Sequence, residues 1–212
     1  LEKKEKKVVQ GQIIPKSKPL IVKTKKTKKT KKSKFYSKKD FSIANQAIQY
    51  MEQKKWSSAE KTAKKARDKS IYNFIRWRHL ITTGNQLNFF DYRNFIESNP
   101  NYPRINRVKY LGEHKINSKV LSANSVIKWF SKYPPLSGFG KIMLGDAYIS
   151  IGDSPKGVKL IKEGWITADL SKNELKYFRK KYKKYLKAED YIKRADHLAW
   201  KGDRWNLQRI IR

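Results

Sequence analysis

"WFSKYPPLSGFGKIMLGDAYISIGDSPKGVKLIKEGWITADLS", residues 129–171, runs through a helix end, a proline corner, a helix, a tight corner and another helix. On both sides of each corner the apolar residues recur three and four positions apart. That is the helical period, and the strict alternation of a strand is missing. "YPPLSG" ends one helix, and Ser137-Gly138-Phe139-Gly140 is a small-residue entry to the next, which runs to about Ile151. Ser154 followed by Pro155 then supplies a cap and a first-turn proline, whose missing N–H falls where a helix has no partner for it.

Outward from this stretch the same grammar repeats. Asp40 is placed to cap a first helix to about Lys54, with Phe41, Ala44, Ala47, Ile48 and Met51 on one face. Ser57 and Glu60 have the spacing of a capping box and start a second, to about Asp68. "IYNFIRWRHLITT" is a third and stops at Gly84. A fourth spans about Phe89 to Glu97, and Pro103 suits the first turn of a fifth. Val126, Ile127, Trp129 and Phe130 belong to a sixth. Ser171 with Glu174 is a second capping box and opens a ninth, "ELKYFRKKYKKYL". "YIKRADHLAW" lies in a tenth that Gly202 ends, and "RWNLQRIIR" begins an eleventh.

Two internal recurrences organise these helices. Trp129-Phe130 followed by Pro134 repeats Phe95-Ile96 followed by Pro100 at an offset of 34 residues, the length of a helix-turn-helix unit. A small corner feeding an amphipathic helix occurs at "KKWSSAEKTAKKA", "GDSPKGVKLIKEG" and "GDRWNLQRIIR". Helices this short are marginal alone in water, so each must lean on its neighbours. The expected fold is all-α, a right-handed superhelix or α-solenoid of short antiparallel helix pairs, TPR-like, over residues 41–212. Residues 1–40, with the run "KTKKTKKTKKSK", carry too little apolar surface to offset ordering entropy and are expected to form a disordered basic tail or linker.

The formal charge of +33 divides into +13 over residues 1–40 and +20 over the rest, so both parts favour polyanions: nucleic acid, an anionic membrane surface or an acidic polymer such as the cell wall. A lysine excess with frequent Asn, Ile and Tyr is also what an AT-rich coding bias produces. The chain has no cysteine, which rules out disulfides and thiolate metal sites. No stretch approaches the ~18 apolar residues of a membrane span.

The search for reactive groups yields no catalytic, cofactor-binding or metal-ligating residue. His79, His114 and His197 are 35 and 83 residues apart, with no i,i+4 partner of the kind zinc sites use. Ser137 to Gly140 lacks the preceding strand and the GK[ST] ending of a phosphate loop. Glu189, Asp190 and Asp196 read as helix-start and ion-pair residues, not as the paired carboxylates of glycosidic cleavage. The tail lacks arginine, so base readout there is weak, and no specific nucleic-acid partner is expected.

The segments "FDYRNFIESNPNYPRINRVKYLGEH", "WFSKYPPLSGFGKIMLGDAYISIGDSPKGVKLIKEGWITADLS" and "YIKRADHLAWKGDRWNLQRII", with "KKWSSAEKTAKKARDKSIYNFIRW" ahead of them, resemble the N-terminal superhelical region of the soluble lytic murein transglycosylases. The resemblance covers about Phe41 to Arg212, and the segments come in that family's order and spacing. It implies a periplasmic enzyme that cleaves peptidoglycan between N-acetylmuramic acid and N-acetylglucosamine and leaves 1,6-anhydro ends. One glutamate in a C-terminal lysozyme-like domain serves there as acid and then base. The glutamate-serine and "GLMQ"-like segments of that domain are not found before Arg212, so no catalytic residue carries over. The expected role is a monomeric, non-catalytic scaffold whose partners are glycan strands and the lysozyme-like domain of the same protein, with no cofactor. A start at Leu1 instead of Met fits an export signal lying outside the chain. The rival reading is a helical-repeat interaction protein that binds a protein or nucleic acid.

Overall fold

The computed structural model describes residues 33–211, which form eleven helices and no strand. They are α1 (Lys38–Glu52), α2 (Trp56–Ala63), α3 (Lys69–Ile81), α4 (Phe89–Ser98), α5 (Ile105–Glu113), α6 (Ala123–Lys132), α7 (Gly138–Ser150), α8 (Ser154–Thr167), α9 (Lys172–Lys181), α10 (Ala188–Trp200) and α11 (Arg204–Ile211). The all-α expectation therefore holds for these residues. The tail reading falls mostly on residues 1–32, outside the described part. No described helix is long and apolar enough to cross a membrane.

Both recurrences have a structural counterpart. At the three small corners the chain takes a left-handed residue, at Lys54, Gly152 and Gly202, with φ of 58°, 95° and 72°. The next residue's N–H then reaches back to a carbonyl five residues earlier: Lys55 to Tyr50, Asp153 to Tyr148 and Asp203 to Leu198, at 2.9, 3.0 and 2.9 Å. This is the Schellman closure, and it satisfies carbonyls that a helix end leaves open. Two of the corners use glycine as expected. The first holds a lysine instead, at the steric cost of a Cβ in the left-handed region. In the 34-residue repeat, α4 and α6 both stop one residue before a Pro-preceding cap. Asn99 and Tyr133 donate from their backbones to Phe95 and Trp129, each at 2.9 Å.

Four expected helix starts are corrected. Ser37, not Asp40, caps α1, and the Asp40 carboxylate accepts the Arg67 N–H at 3.0 Å in the α2–α3 corner. The Ser57–Glu60 box does not form: α2 starts at Trp56 without a side-chain cap, and Glu60 turns toward α3. Pro103 precedes α5, which begins at Ile105 after a left-handed Arg104. The eighth helix is capped by Asp153, not Ser154, which is the first residue of α8 with Pro155 second. The Ser171–Glu174 box does form, and Ser137 and Asn88 cap their helices as well.

Packing centres on α7, which is buried from Gly138 to Ala147 except at Lys141. Against it α8 runs antiparallel, with a glycine facing a glycine at two levels. A Cβ on Gly145 would stand 2.6 Å from the Gly157 carbonyl oxygen, and one on Gly164 2.5 Å from that of Gly138. Backbone atoms cannot step aside as a flexible side-chain end can, so these four positions admit no side chain at the observed separation. Ile142 and Ile161, both fully buried, fill the spaces between the pairs. The main core spreads from this hairpin, taking Trp129, Phe130, Phe139, Trp165 and Phe178. A smaller alanine-rich cluster, Ala44, Ala47, Ala59, Ala63, Ile71 and Ile75, joins α1, α2 and α3. Every helix pair in extensive contact is one or two elements apart in the chain.

Substituting Gly164→Ala is expected to cost about 1–3 kcal/mol in urea denaturation, the range for overpacking, whereas Lys159→Ala on the exposed face of α8 should stay within about 0.5 kcal/mol. An unchanged Gly164→Ala midpoint would contradict the close approach. Lys54→Gly should stabilise by about 1 kcal/mol, since it relieves the left-handed lysine, and the same titration reads it.

Candidate functional site

Ionisable side chains gather in three places, and two of them are consumed by packing. In the first, Arg76 on α3 bridges Glu60 on α2 at 2.9 Å and Asp91 on α4 at 2.6 Å. His79 adds a 2.7 Å contact from Nδ1 to Glu60 and stacks on Trp56 with ring centres 4.5 Å apart. This network links the small N-terminal cluster to the main core. It explains why Glu60 abandons its cap.

The second place holds the one buried glutamate of the core, Glu113, 2% exposed at the end of α5. One carboxylate oxygen accepts the Leu136 N–H at 2.7 Å; the other accepts the Ser137 N–H at 2.8 Å and the Ser137 hydroxyl. The acid thus closes the entrance of α7, and Gly140 is required because a Cβ there would overlap the carboxylate. Burial pushes this carboxyl above its ordinary value, against the pull of the Leu136 and Ser137 hydrogen bonds. With both oxygens engaged by backbone, Glu113 is not available as an acid-base group. Beside it His114 stacks on Phe139 at 4.9 Å and meets Tyr110 at 5.1 Å. Its Nε2 is buried without a hydrogen-bond partner among the described residues. His197, on α10, has no resolved role in either network, so the three histidines do not converge. No group of three or more described His, Asp or Glu side chains is placed to hold a metal ion.

Arg194, from the "RADHLAW" segment, is 1% exposed and serves α8 in the same manner. Its guanidinium lies 5.0 Å from the Trp165 ring centre and donates to the Trp165 and Ala168 carbonyls at the end of α8. Burial pulls its pKa down to about 10, which leaves it charged at neutral pH. Asp190 is a helix-start acid as read: it accepts the Lys187 N–H at 2.9 Å and pairs with Lys162 at 3.0 Å.

The third place is open. A groove of about 840 Å³ lies between α9, α10 and α11, with Lys172, Lys176, Arg179, Lys180, Lys183 and Arg209 around it and Leu175, Tyr191, Trp205 and Gln208 completing the wall. No described carboxylate lines it. None of the six cations has an ion-pair partner among the described residues. Along α9, Lys172, Lys176 and Lys180 stand at successive i,i+4 positions, where like charges destabilise a helix by a few tenths of a kcal/mol per pair. Folding therefore does not account for the pattern. The sequence reading took "ELKYFRKKYKKYL" only as a helix; the signal was the i,i+4 lysine stripe, and what it lacked was the wall supplied by α11.

No family model, no curated protein and no solved structure matches this chain.

Burial holds the His114 pKa below its ordinary 6.5, with the charges of Glu174 and Asp169 pulling the other way and that of Arg107 adding to the depression. The unfolded chain then binds more protons than the folded one just below pH 6.5, so stability falls as the pH drops through that window. In urea titrations from pH 7.5 to 5, His114→Gln is expected to flatten this decline relative to the parent. Parallel curves would contradict the assignment.

Proposed function

We propose that this chain is the superhelical, TPR-like scaffold region of a peptidoglycan lytic transglycosylase. The parent enzyme would cleave the MurNAc–GlcNAc bonds of glycan strands to 1,6-anhydro ends in the periplasm, during cell-wall turnover. The observation that carries this reading is the use made of the segments that resemble that family's. "WFSKYPPLSGFGK" builds the α6–α7 corner, where Ser137 is held by Glu113, and "RADHLAW" contributes Arg194, which fastens the end of α8. Each is spent on packing one helix against the next, and that is what a support needs. The contacts between near neighbours in the chain also favour a stack that grows in one direction, as a superhelix does.

In this reading chemistry belongs to a lysozyme-like domain beyond these residues, and the helical part holds that domain on the polymer. Its positive charge acts only at close range, since exposed charges are screened beyond about 8 Å at physiological salt. It biases contact with an anionic wall without capturing it from a distance.

The coding sequence beyond Arg212 tests the reading directly. It is expected to continue in frame into a lysozyme-like region with a single glutamate followed by serine. A frame that closes at Arg212, or that enters an unrelated domain, would overturn it. Purified chain incubated with murein sacculi should release no 1,6-anhydro-muropeptides by liquid chromatography and mass spectrometry, and their appearance would place the reaction centre within these helices.

A further inference from the structure

We propose that the groove between α9, α10 and α11 binds the carboxylate-bearing peptide stems of a glycan strand, an assignment that rests on the scaffold reading above. That reading says that the polymer is held. It does not say where, or by which of the polymer's groups.

The groove is the place where charge is concentrated without an ion-pair partner among the described residues. Five cations come from α9 and its end, the sixth is Arg209 on α11, which donates to Asn206 at 2.9 Å, and no described acid lines the groove with them. From Lys172 to Lys181 α9 extends over about 14 Å, with Lys183 just past its end, so a matching ligand carries several separate anions along its length. A polynucleotide meets that condition, and so does a row of peptide carboxylates.

The aromatic residues separate the two. Strand-binding grooves for nucleic acid stack successive bases on several free rings. Here Tyr191 is already covered, by Arg179 at 5.7 Å from its centre and by the edge of Trp165 at 5.3 Å. Only Trp205, 77% exposed, offers a free face in the wall. One free ring beside a lysine-rich stripe suits the face of a sugar or a peptide flanked by carboxylates, with lysines acting as mobile point charges.

The experiment measures retention of the full 212-residue chain on murein sacculi at fixed salt. The Lys176→Glu/Arg179→Glu double variant is compared with a Lys128→Glu/Lys159→Glu control, whose lysines are exposed on α6 and α8. Lys176→Glu places a glutamate four residues ahead of Lys180 within α9, a pairing that favours the helix, and an unchanged far-UV circular dichroism spectrum of the double variant shows that α9 stays folded. Retention is expected to fall about three- to ten-fold for the groove variant, the range for losing exposed ion pairs, and to hold for the control. A second arm keeps the parent chain and changes the polymer: sacculi whose free carboxylates have been converted to methylamides should lose retention to the same degree.

Equal losses in both double variants would mean diffuse charge only and would overturn the proposal. So would unchanged retention on amidated sacculi, or no retention of the parent chain at all. If the groove variant instead loses binding to oligo(dT) while amidated sacculi are bound as before, the occupant is a polynucleotide and the proposal falls. The scaffold reading is decided separately, by the reading frame beyond Arg212, so the two can fail independently.

Discussion

The backbone contact between α7 and α8 is the constraint from which the rest follows. Glycines seven apart on one helix, Gly138 and Gly145, face glycines seven apart on the other, Gly164 and Gly157, and the two chains approach until carbonyl oxygens fill the space where Cβ atoms would be. Such an approach leaves no room for larger interfacial side chains, so the isoleucines between the levels are fixed in place. A helix buried this fully can be surrounded by others. α5 and α6 reach it from one side, α10 meets α8, and Phe178 of α9 packs on Phe139 with ring centres 5.9 Å apart.

Two buried charged groups complete this centre, and both act on helix ends. Glu113 satisfies the open N–H groups at the start of α7, and Arg194 satisfies the open carbonyls at the end of α8. Each sits where the helix dipole favours its sign, an anion at an N-terminus and a cation at a C-terminus. Burying an ion is costly unless it is bonded; both groups are, with only the Arg194 Nε left without a partner among the described residues. The arrangement therefore ties the ends of the hairpin to α5 and α10, and removing either group would leave several backbone groups unpaired at once. Neither group has the freedom that proton transfer needs, and this is why a buried acid in a core need not mark a reaction centre.

What could be read from the sequence was whatever is decided within a few residues. The helical period, the Ser171–Glu174 box, the glycine corners at Gly152 and Gly202 and the 34-residue recurrence of helix ends are local, and the structure contains them. The Ser57–Glu60 box failed because Glu60 has stronger partners 16 and 19 residues away, in Arg76 and His79. Glu113 and Arg194 were unreadable for the same reason, their partners lying 23 to 29 residues off. The glycine spacing was in plain view. It acquires meaning only when the antiparallel partner presents the same spacing in the opposite direction. The basic groove belongs to this second class, since α9 alone is a charged helix and becomes one wall of a cleft only once α11 is set against it.

The resulting picture is an all-helical fold whose stability is concentrated at α7 and α8 and thins toward α1 to α3, where alanines replace the large aromatics. Native-state amide hydrogen exchange, read peptide by peptide, measures that distribution most directly. Slowest exchange in α7 and α8, with α1 to α3 opening at a distinctly lower free energy, is the result this account requires. Protection that is uniform along the chain, or weakest in the glycine-paired hairpin, would contradict it.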